Sequence, residues 1–210
     1  MMPDAPGSVR TPPFRRKQTG AYSGNRKNKG GNELVKDRIG EFGKGIVGVV
    51  GGSSAGPEIL AMAEDLGAGV ARMGCILVTG GGGGVMRAAS RGAFLAGGLV
   101  IGILPNHRGQ AMEGYPNEYV HVPVFTGMSD ARNAIIARTA EVIVAMKGSL
   151  GTISEVALAL KAGTPVVSLA CPQYDLFASS PGYLRAQTVR EVLEKLEEML
   201  VSPRKQVTKQ

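Results

Sequence analysis

Hydrophobic and polar positions alternate in blocks along this chain from about Gly45 onward. Short apolar runs rich in Val and Ile are each followed by a longer amphipathic stretch. Continuous runs of this kind are typical of strands buried on both faces of a parallel sheet, with helices between them. We therefore expect an α/β fold, a single Rossmann-like domain with a mostly parallel sheet and helices on both faces. The six predicted strands are Ile46–Val50, Cys75–Thr79, Leu99–Leu104, Tyr119–Phe125, Val142–Met146 and Pro165–Ala170.

Local start signals mark several of the predicted helices. Pro57 suits the first turn of one helix, and Ser129–Asp130 precedes a second. Thr152, with Glu155 three residues later, has the pattern of a capping box at the start of a third. A last helix over about Tyr183–Leu200 would place its apolar residues along one stripe and close the domain.

Three regions fall outside this repeating pattern. Residues 1–44 and 202–210 predict a basic, flexible N-terminal tail and a flexible C-terminus on either side of the Rossmann-like domain, residues 45–201. Pro105–Glu118 is the longest internal loop and a candidate lid. Residues 1–31 contain seven Lys and Arg and a single Asp, so this segment carries six of the seven net positive charges. Because the domain is then close to neutral, nucleic acid is not expected as a partner.

Cysteine and histidine content limits the chemistry further. Cys75 and Cys171 show neither paired spacing nor a Cys-x-x-Cys motif, and the only histidines, His107 and His121, lack the spacing of metal ligands. No apolar run approaches the length of a membrane helix, and the first residues lack the pattern of a signal peptide. We expect a soluble cytoplasmic protein without a metal site and without a membrane partner.

Glycine is about twice as frequent as the usual ~7%, with 31 residues, and it is concentrated where the apolar runs end. Gly51–Gly56, Gly80–Gly84 and Gly148–Thr152 each follow a predicted strand and open a helix. In a doubly wound sheet these loops lie at the C-terminal edge, where ligands bind. Glycine permits close approach of the backbone, and helix amides attract anions, so the pattern favours a phosphate over plain tight turns. The candidate binding residues are Gly52, Ser53, Ser54, Gly81, Gly82, Gly83, Gly148, Ser149, Gly151 and Thr152.

Other motifs for phosphate or nucleophile chemistry fit less well. The sequence has no Gly-x-Gly-x-x-Gly and no Walker lysine, which disfavours a redox NAD enzyme and an ATPase. Gly52–Gly56 formally matches the Gly-x-Ser-x-Gly nucleophile elbow, with Ser54 as nucleophile. In α/β-hydrolases the elbow follows a later strand, whereas Gly52–Gly56 follows the first. Both histidines also come too early in the chain for the order Ser, acid, His of that triad.

Four segments together resemble the lysine-decarboxylase-like, or LOG, superfamily (SLOG) over about Ile46 to Leu169. The strongest of them resembles that family's Pro-Gly-Gly-x-Gly-Thr-x-x-Glu. The run of five glycines before Val85 and Met86, with the later Gly-Ile-Leu-Pro, is most similar to the branch that includes molybdenum-cofactor carrier proteins. The segments are Val49–Ser54, Thr79–Met86, Asp130–Asn133 and Gly148–Glu155.

The resemblance implies a Rossmann-like fold, a homo-oligomer (dimer or tetramer) and a phosphorylated ligand at the glycine loops. In the enzymes of the superfamily it also implies hydrolysis of a nucleoside 5′-monophosphate to free base and ribose 5-phosphate, with an Arg and a Glu that fall on Arg132 and Glu155. Two departures argue for a carrier instead. Lys147-Gly148-Ser149 stands where the family has Pro-Gly-Gly, and Asn133 stands where the enzymes have Lys.

Our leading hypothesis is therefore a carrier or sensor of a phosphorylated, nucleotide-like small molecule such as molybdenum cofactor, with no further cofactor required. The alternative is a nucleoside 5′-monophosphate phosphoribohydrolase with Arg132 and Glu155 as catalytic residues. Simpler interpretations of both residues stay open. Glu155 could only complete the capping box with Thr152, and Arg132 could form a surface ion pair with Asp130.

Overall fold

The computed structural model describes residues 44–201, with side chains to residue 200. The predicted tails, residues 1–43 of the N-terminal one and residues 202–210, lie outside the described residues. Among the described residues, no helix combines the length and the apolar composition needed to span a membrane.

Seven parallel strands form one sheet in the order β4-β3-β2-β1-β5-β6-β7. Continuous apolar sequence explains the central strands, because every residue of β2, β5 and β6 is buried. The α/β, Rossmann-like fold predicted from the sequence is thus confirmed. The strands are β1 Ile46–Val50, β2 Ile76–Thr79, β3 Val100–Leu104, β4 Val122–Phe125, β5 Val142–Ala145, β6 Val166–Leu169 and β7 Tyr183–Ala186.

Helices cover both faces of the sheet. Helices α1 (Pro57–Arg72), α2 (Gly84–Leu95) and α5 (Val189–Val201) share a core with one face. Helices α3 (Asn133–Thr139) and α4 (Leu150–Ala162) share a second core with the other. Alternate residues of the central strands β1, β2, β5 and β6 enter the two cores, as the period of two in a strand requires. Two 3-10 helices, Ser129–Arg132 and Pro172–Phe177, lie in the loops after β4 and β6.

Two glycines bring α1 and α2 into backbone contact. A Cβ atom at Gly67 would overlap the carbonyl group of Ala89, and one at Gly92 would overlap the carbonyl group of Glu64. The contact is therefore reciprocal, with a glycine of each helix against the main chain of the other. This close packing holds the first two helices of the fold rigidly behind the loops that precede them.

The last predicted helix, about Tyr183–Leu200, is wrong over its first six residues. Residues Tyr183–Ala186 form β7, which pairs with β6, and the helix begins only at Val189. Gly182, with φ of +83°, turns the chain into the sheet, and its carbonyl accepts a hydrogen bond from the amide of Val166 at 2.9 Å. Pairing with an open sheet edge therefore outweighs the helical pattern.

Candidate functional site

Main-chain hydrogen bonds join the three glycine loops at the C-terminal edge of the sheet. The amide of Gly52 donates to the carbonyl of Lys147 at 3.0 Å, and the amide of Val85 donates to the carbonyl of Gly52 at 3.0 Å. The loops after β1, β2 and β5 are thus fastened to one another through atoms of the backbone. The structure brings all three predicted segments to one edge.

A cavity of about 350 Å³ opens between the loop after β1 and the loop after β5. The chain continues from β1 toward one side of the sheet and from β5 toward the other, so the cavity lies at the topological switch point. Doubly wound sheets bind their ligands at this position. Five of the predicted binding residues line the cavity. The complete lining is Gly52, Ser53, Ser54, Ala55, Gly56, Ile59, Lys147, Gly148 and Ser149.

The lining suits an anion. Ser53, Ser54, Ser149 and Lys147 are exposed, and no Asp or Glu lines the cavity. Helix α4 begins one residue after Ser149, whose side chain makes no capping hydrogen bond. The first amides of the helix have no acceptor within it, so they add donors and the positive end of the helix dipole at this edge.

The predicted capping box of Thr152 and Glu155 is wrong. Helix α4 begins at Leu150, which places Thr152 inside its first turn and Glu155 in the second. Both side chains are buried. Thr152 instead packs against Gly148, where a Cβ atom would overlap the Thr152 hydroxyl. Close packing of the loop onto the helix therefore explains this threonine and this glycine.

The middle glycine loop lies beneath the crossover segment 105–121. Asn117 donates to the carbonyl of Gly82 through Nδ2 at 3.0 Å, and its amide donates to the carbonyl of Gly81 at 2.8 Å. The ring of Tyr115 occupies the space that a Cβ atom at Gly82 would need. Gly81 and Gly82, predicted to bind ligand, are buried, and with Gly83 they stand outside the cavity lining. The predicted lid rests on these glycines in this structure.

Arg132 and Glu155 lie close to each other and away from solvent. Arg132 is 8% exposed, its Nη1 donates to the carbonyl of Ile103 at 3.0 Å, and its guanidinium packs against Gly80. It is therefore not the surface ion pair that the sequence left open. Glu155 is 6% exposed, and none of the described residues donates a hydrogen bond to its carboxyl group.

Burial raises the pKa of Glu155 from 4.5 to about 7, and the positive charge of Arg132 opposes part of that rise. The group can therefore hold or release a proton near neutral pH. Neither side chain is in the lining of this cavity, although Arg132 packs against Gly80 at the start of the middle glycine loop.

Three polar side chains that sequence reasoning missed position the loop after β5. The Tyr174 hydroxyl donates to the carbonyl of Met146 at 2.7 Å, and Gln173 Nε2 donates to that of Gly148 at 3.1 Å. Asn133 Nδ2 donates to Ser154 Oγ at 3.1 Å and ties α3 to the start of α4. Of these three residues, only Asn133 was noticeable in the sequence, because it stands where the enzymes of the superfamily have Lys.

Within residues 44–200, no group of three or more His, Cys, Asp or Glu side chains is arranged to hold a metal ion. The lining of the cavity offers hydroxyls, main-chain amides and one ammonium group as candidate ligand-binding groups. Groups of these kinds can donate hydrogen bonds directly to an oxyanion.

Comparison with known proteins gives a consistent result. A family model described as the SLOG cluster4 family matches residues 44–202. The molybdenum cofactor carrier protein from Chlamydomonas reinhardtii is 36% identical with a TM-score of 0.67, over 76% of this chain and 99% of that one. The molybdenum cofactor binding protein from Rippkaea orientalis is 35% identical with a TM-score of 0.66, over 74% and 96%. An uncharacterized protein from Archaeoglobus fulgidus is 38% identical over 126 residues, which are 60% of this chain and 80% of that protein.

Proposed function

The chain belongs to the SLOG cluster4 family, and from this premise we propose that it is a carrier or sensor of a phosphorylated, nucleotide-like small molecule. Molybdenum cofactor is the ligand that we favour, because the similar proteins from Chlamydomonas reinhardtii and Rippkaea orientalis carry or bind it. In this role molybdenum cofactor is cargo, which the protein holds without converting it.

The observation that carries the proposal is the cavity at the switch point. It combines three exposed hydroxyls, one ammonium group and the start of helix α4, and no carboxylate lines it. Each of these groups donates hydrogen bonds to phosphate oxygens, and together they fit the phosphate end of the ligand. We assign the phosphate to the lining residues Gly52, Ser53, Ser54, Gly148 and Ser149 and to the main-chain amides of Gly151 and Thr152 in the first turn of α4.

Asn133 supports a carrier over a hydrolase. The enzymes that the sequence resembles have a lysine at this position, whereas Asn133 is 6% exposed and its amide is bonded to Ser154 and to the carbonyl of Gly151. The position therefore contributes to the packing of α3 against α4 and supplies no charge for a leaving group or a phosphate.

The test is retention of the ligand during purification. We expect the full chain, expressed in a host that makes molybdenum cofactor and purified without oxygen, to yield a fluorescent pterin after oxidation. Ser54→Asp places a carboxylate in the cavity and should abolish this yield by repelling the phosphate. Ser179→Asp adds the same charge at an exposed serine outside the lining and should leave the yield unchanged. No pterin with the wild-type protein, or equal yields from Ser54→Asp, would refute the proposal.

One observation favours a second candidate, a nucleoside 5′-monophosphate phosphoribohydrolase. Glu155 has a pKa of about 7 beside the charge of Arg132, and a carboxylate can stabilise the cationic sugar that forms as an N-glycosidic bond breaks. Mass spectrometry of products from a panel of nucleoside 5′-monophosphates tests this candidate. Free base and ribose 5-phosphate, absent with Glu155→Gln, would replace the carrier proposal, whereas no turnover would retain it.

The resemblance to the family also leads us to propose a dimer or tetramer. Light scattering of the purified full chain measures the mass directly. A monomer at micromolar concentration would contradict the proposed oligomer and would not affect the proposal about the ligand.

A further inference from the structure

Lys147 is the single charged residue in the lining of the cavity. Its side chain is exposed, while its carbonyl accepts the hydrogen bond from the amide of Gly52 that joins the loops after β1 and β5. The main chain at this position is therefore fixed at the switch point. Lys147 lines the cavity together with the exposed residues Ser53, Ser54 and Ser149.

The remaining donors of the cavity are neutral. Hydroxyls and main-chain amides bond to phosphate oxygens whether the phosphate carries one negative charge or two. An ammonium group adds a Coulomb attraction that grows with the charge of its partner. A terminal phosphomonoester carries about −1.5 to −2 at neutral pH, and a phosphodiester carries about −1 because one oxygen is esterified.

We propose that Lys147 makes this cavity selective for a terminal phosphomonoester over a phosphodiester. The inference rests on the proposed function and deepens it. It distinguishes a ligand whose phosphate is terminal from a ligand whose phosphate links it to a second group. The size of the cavity agrees, because about 350 Å³ is at the small end of ligand pockets and accommodates a phosphate with the adjoining part of one ligand.

The two probes are adenosine 5′-monophosphate and its methyl ester, which share base and sugar and differ by one methyl group and about one charge. Calorimetric titration of the full chain should give tighter binding of the monophosphate than of the ester. Lys147→Met should weaken the monophosphate about tenfold to a hundredfold, the cost of losing one charge-assisted hydrogen bond, and should weaken the ester much less. The selectivity of the wild-type protein should then fall, and the part that remains is due to the dipole of helix α4, which also attracts the more highly charged phosphate.

Two further variants separate charge from structure. Lys147→Arg keeps the cation and should retain the selectivity. Lys161→Met removes the same charge at an exposed position in the last turn of α4, at the end opposite the cavity, and should behave as wild type. Rising salt should reduce the preference of the wild-type protein for the monophosphate and leave Lys147→Met nearly unaffected, since the screened interaction is already absent there.

If Lys147→Met loses affinity equally for both probes, or for neither, the inference is overturned. The assignment of the phosphate site would then be unaffected. Failure of the wild-type protein to bind either probe at millimolar concentration, with pterin still retained on purification, would overturn both the selectivity and the phosphate assignment. Failure of binding together with an absence of pterin would overturn the proposed function as well.

Discussion

Replacing Glu155 with glutamine should stabilise this protein, increasingly so as pH rises. The carboxyl group is 6% exposed, and burial raises its pKa from 4.5 to about 7 in the folded state. The folded protein thus binds this proton more tightly than the unfolded chain does. The contribution of Glu155 to stability is therefore complete below about pH 4.5 and is lost as pH rises through 7.

The size of the effect follows from the two pKa values. Each pH unit between them corresponds to 1.36 kcal/mol, so ionised Glu155 lowers the free energy of unfolding by about 3 kcal/mol above pH 7. Glutamine has the same shape and does not ionise. Relative to wild type, Glu155→Gln should gain stability steadily from pH 5 to pH 7, and the gain should level off near pH 8.

Urea denaturation followed by circular dichroism at pH 5, 6, 7 and 8 measures this difference. The change with pH is the informative quantity, because any packing cost of the amide is the same at every pH. Glu197→Gln, on the exposed side of helix α5, removes a charge of the same type and should give a nearly flat difference. If the difference in the free energy of unfolding between Glu155→Gln and wild type does not change with pH, or if Glu155→Gln loses stability as pH rises, burial does not raise the pKa of Glu155.

Three other substitutions test the framework around the site. Tyr174→Phe leaves the buried carbonyl of Met146 without its donor and should cost about 1–3 kcal/mol in urea denaturation. Gly67→Ala forces a methyl group against the carbonyl of Ala89 and should cost about 1–3 kcal/mol, seen as a lower Tm in calorimetry; an unchanged Tm would mean that α1 and α2 can separate without penalty. Asn117→Ala removes the side-chain donor that holds the crossover segment on the middle glycine loop, so limited proteolysis should cleave within 105–121 faster than in wild type.

The central sheet could be predicted because its signal is local. Ile46–Val50 and Val142–Ala145 are short, continuous apolar runs rich in Val and Ile, as expected for strands covered on both faces. Tyr183–Ala186 has no such signal, since Leu, Arg and Ala suit a helix equally well. Its identity as a strand comes from pairing with β6, which the local sequence does not encode.

Two Thr-x-x-Glu patterns in the chain show where local reasoning about caps fails. Glu191 accepts hydrogen bonds from Thr188 Oγ1 and from the amide of Gln187, as a cap should. Glu155 is instead buried beside Arg132, because α4 starts before Thr152. Where a helix starts depends on how the preceding loop packs, and that packing is set by tertiary contacts.

The site could be predicted only in part, because some of its contacts also depend on tertiary packing. The glycine segments identify the C-terminal edge, because each directly follows a strand of a parallel sheet. The covering of Gly82 by Tyr115 and Asn117 depends on how a seventeen-residue crossover, residues 105–121, folds back onto the sheet. The meeting of Arg132 with Glu155 likewise joins residues on separate elements. The hydrophobic periodicity of the sequence predicts neither contact.

The bonds that fasten the loop after β1 to the loops after β2 and β5 use only main-chain atoms. Substitutions at the exposed serines of the cavity change its side chains without removing any of these bonds. Ser53, Ser54 and Ser149 project from that constant frame into solvent. Substitutions at these three positions can therefore change the hydrogen-bonding groups of the cavity while its main-chain frame stays the same.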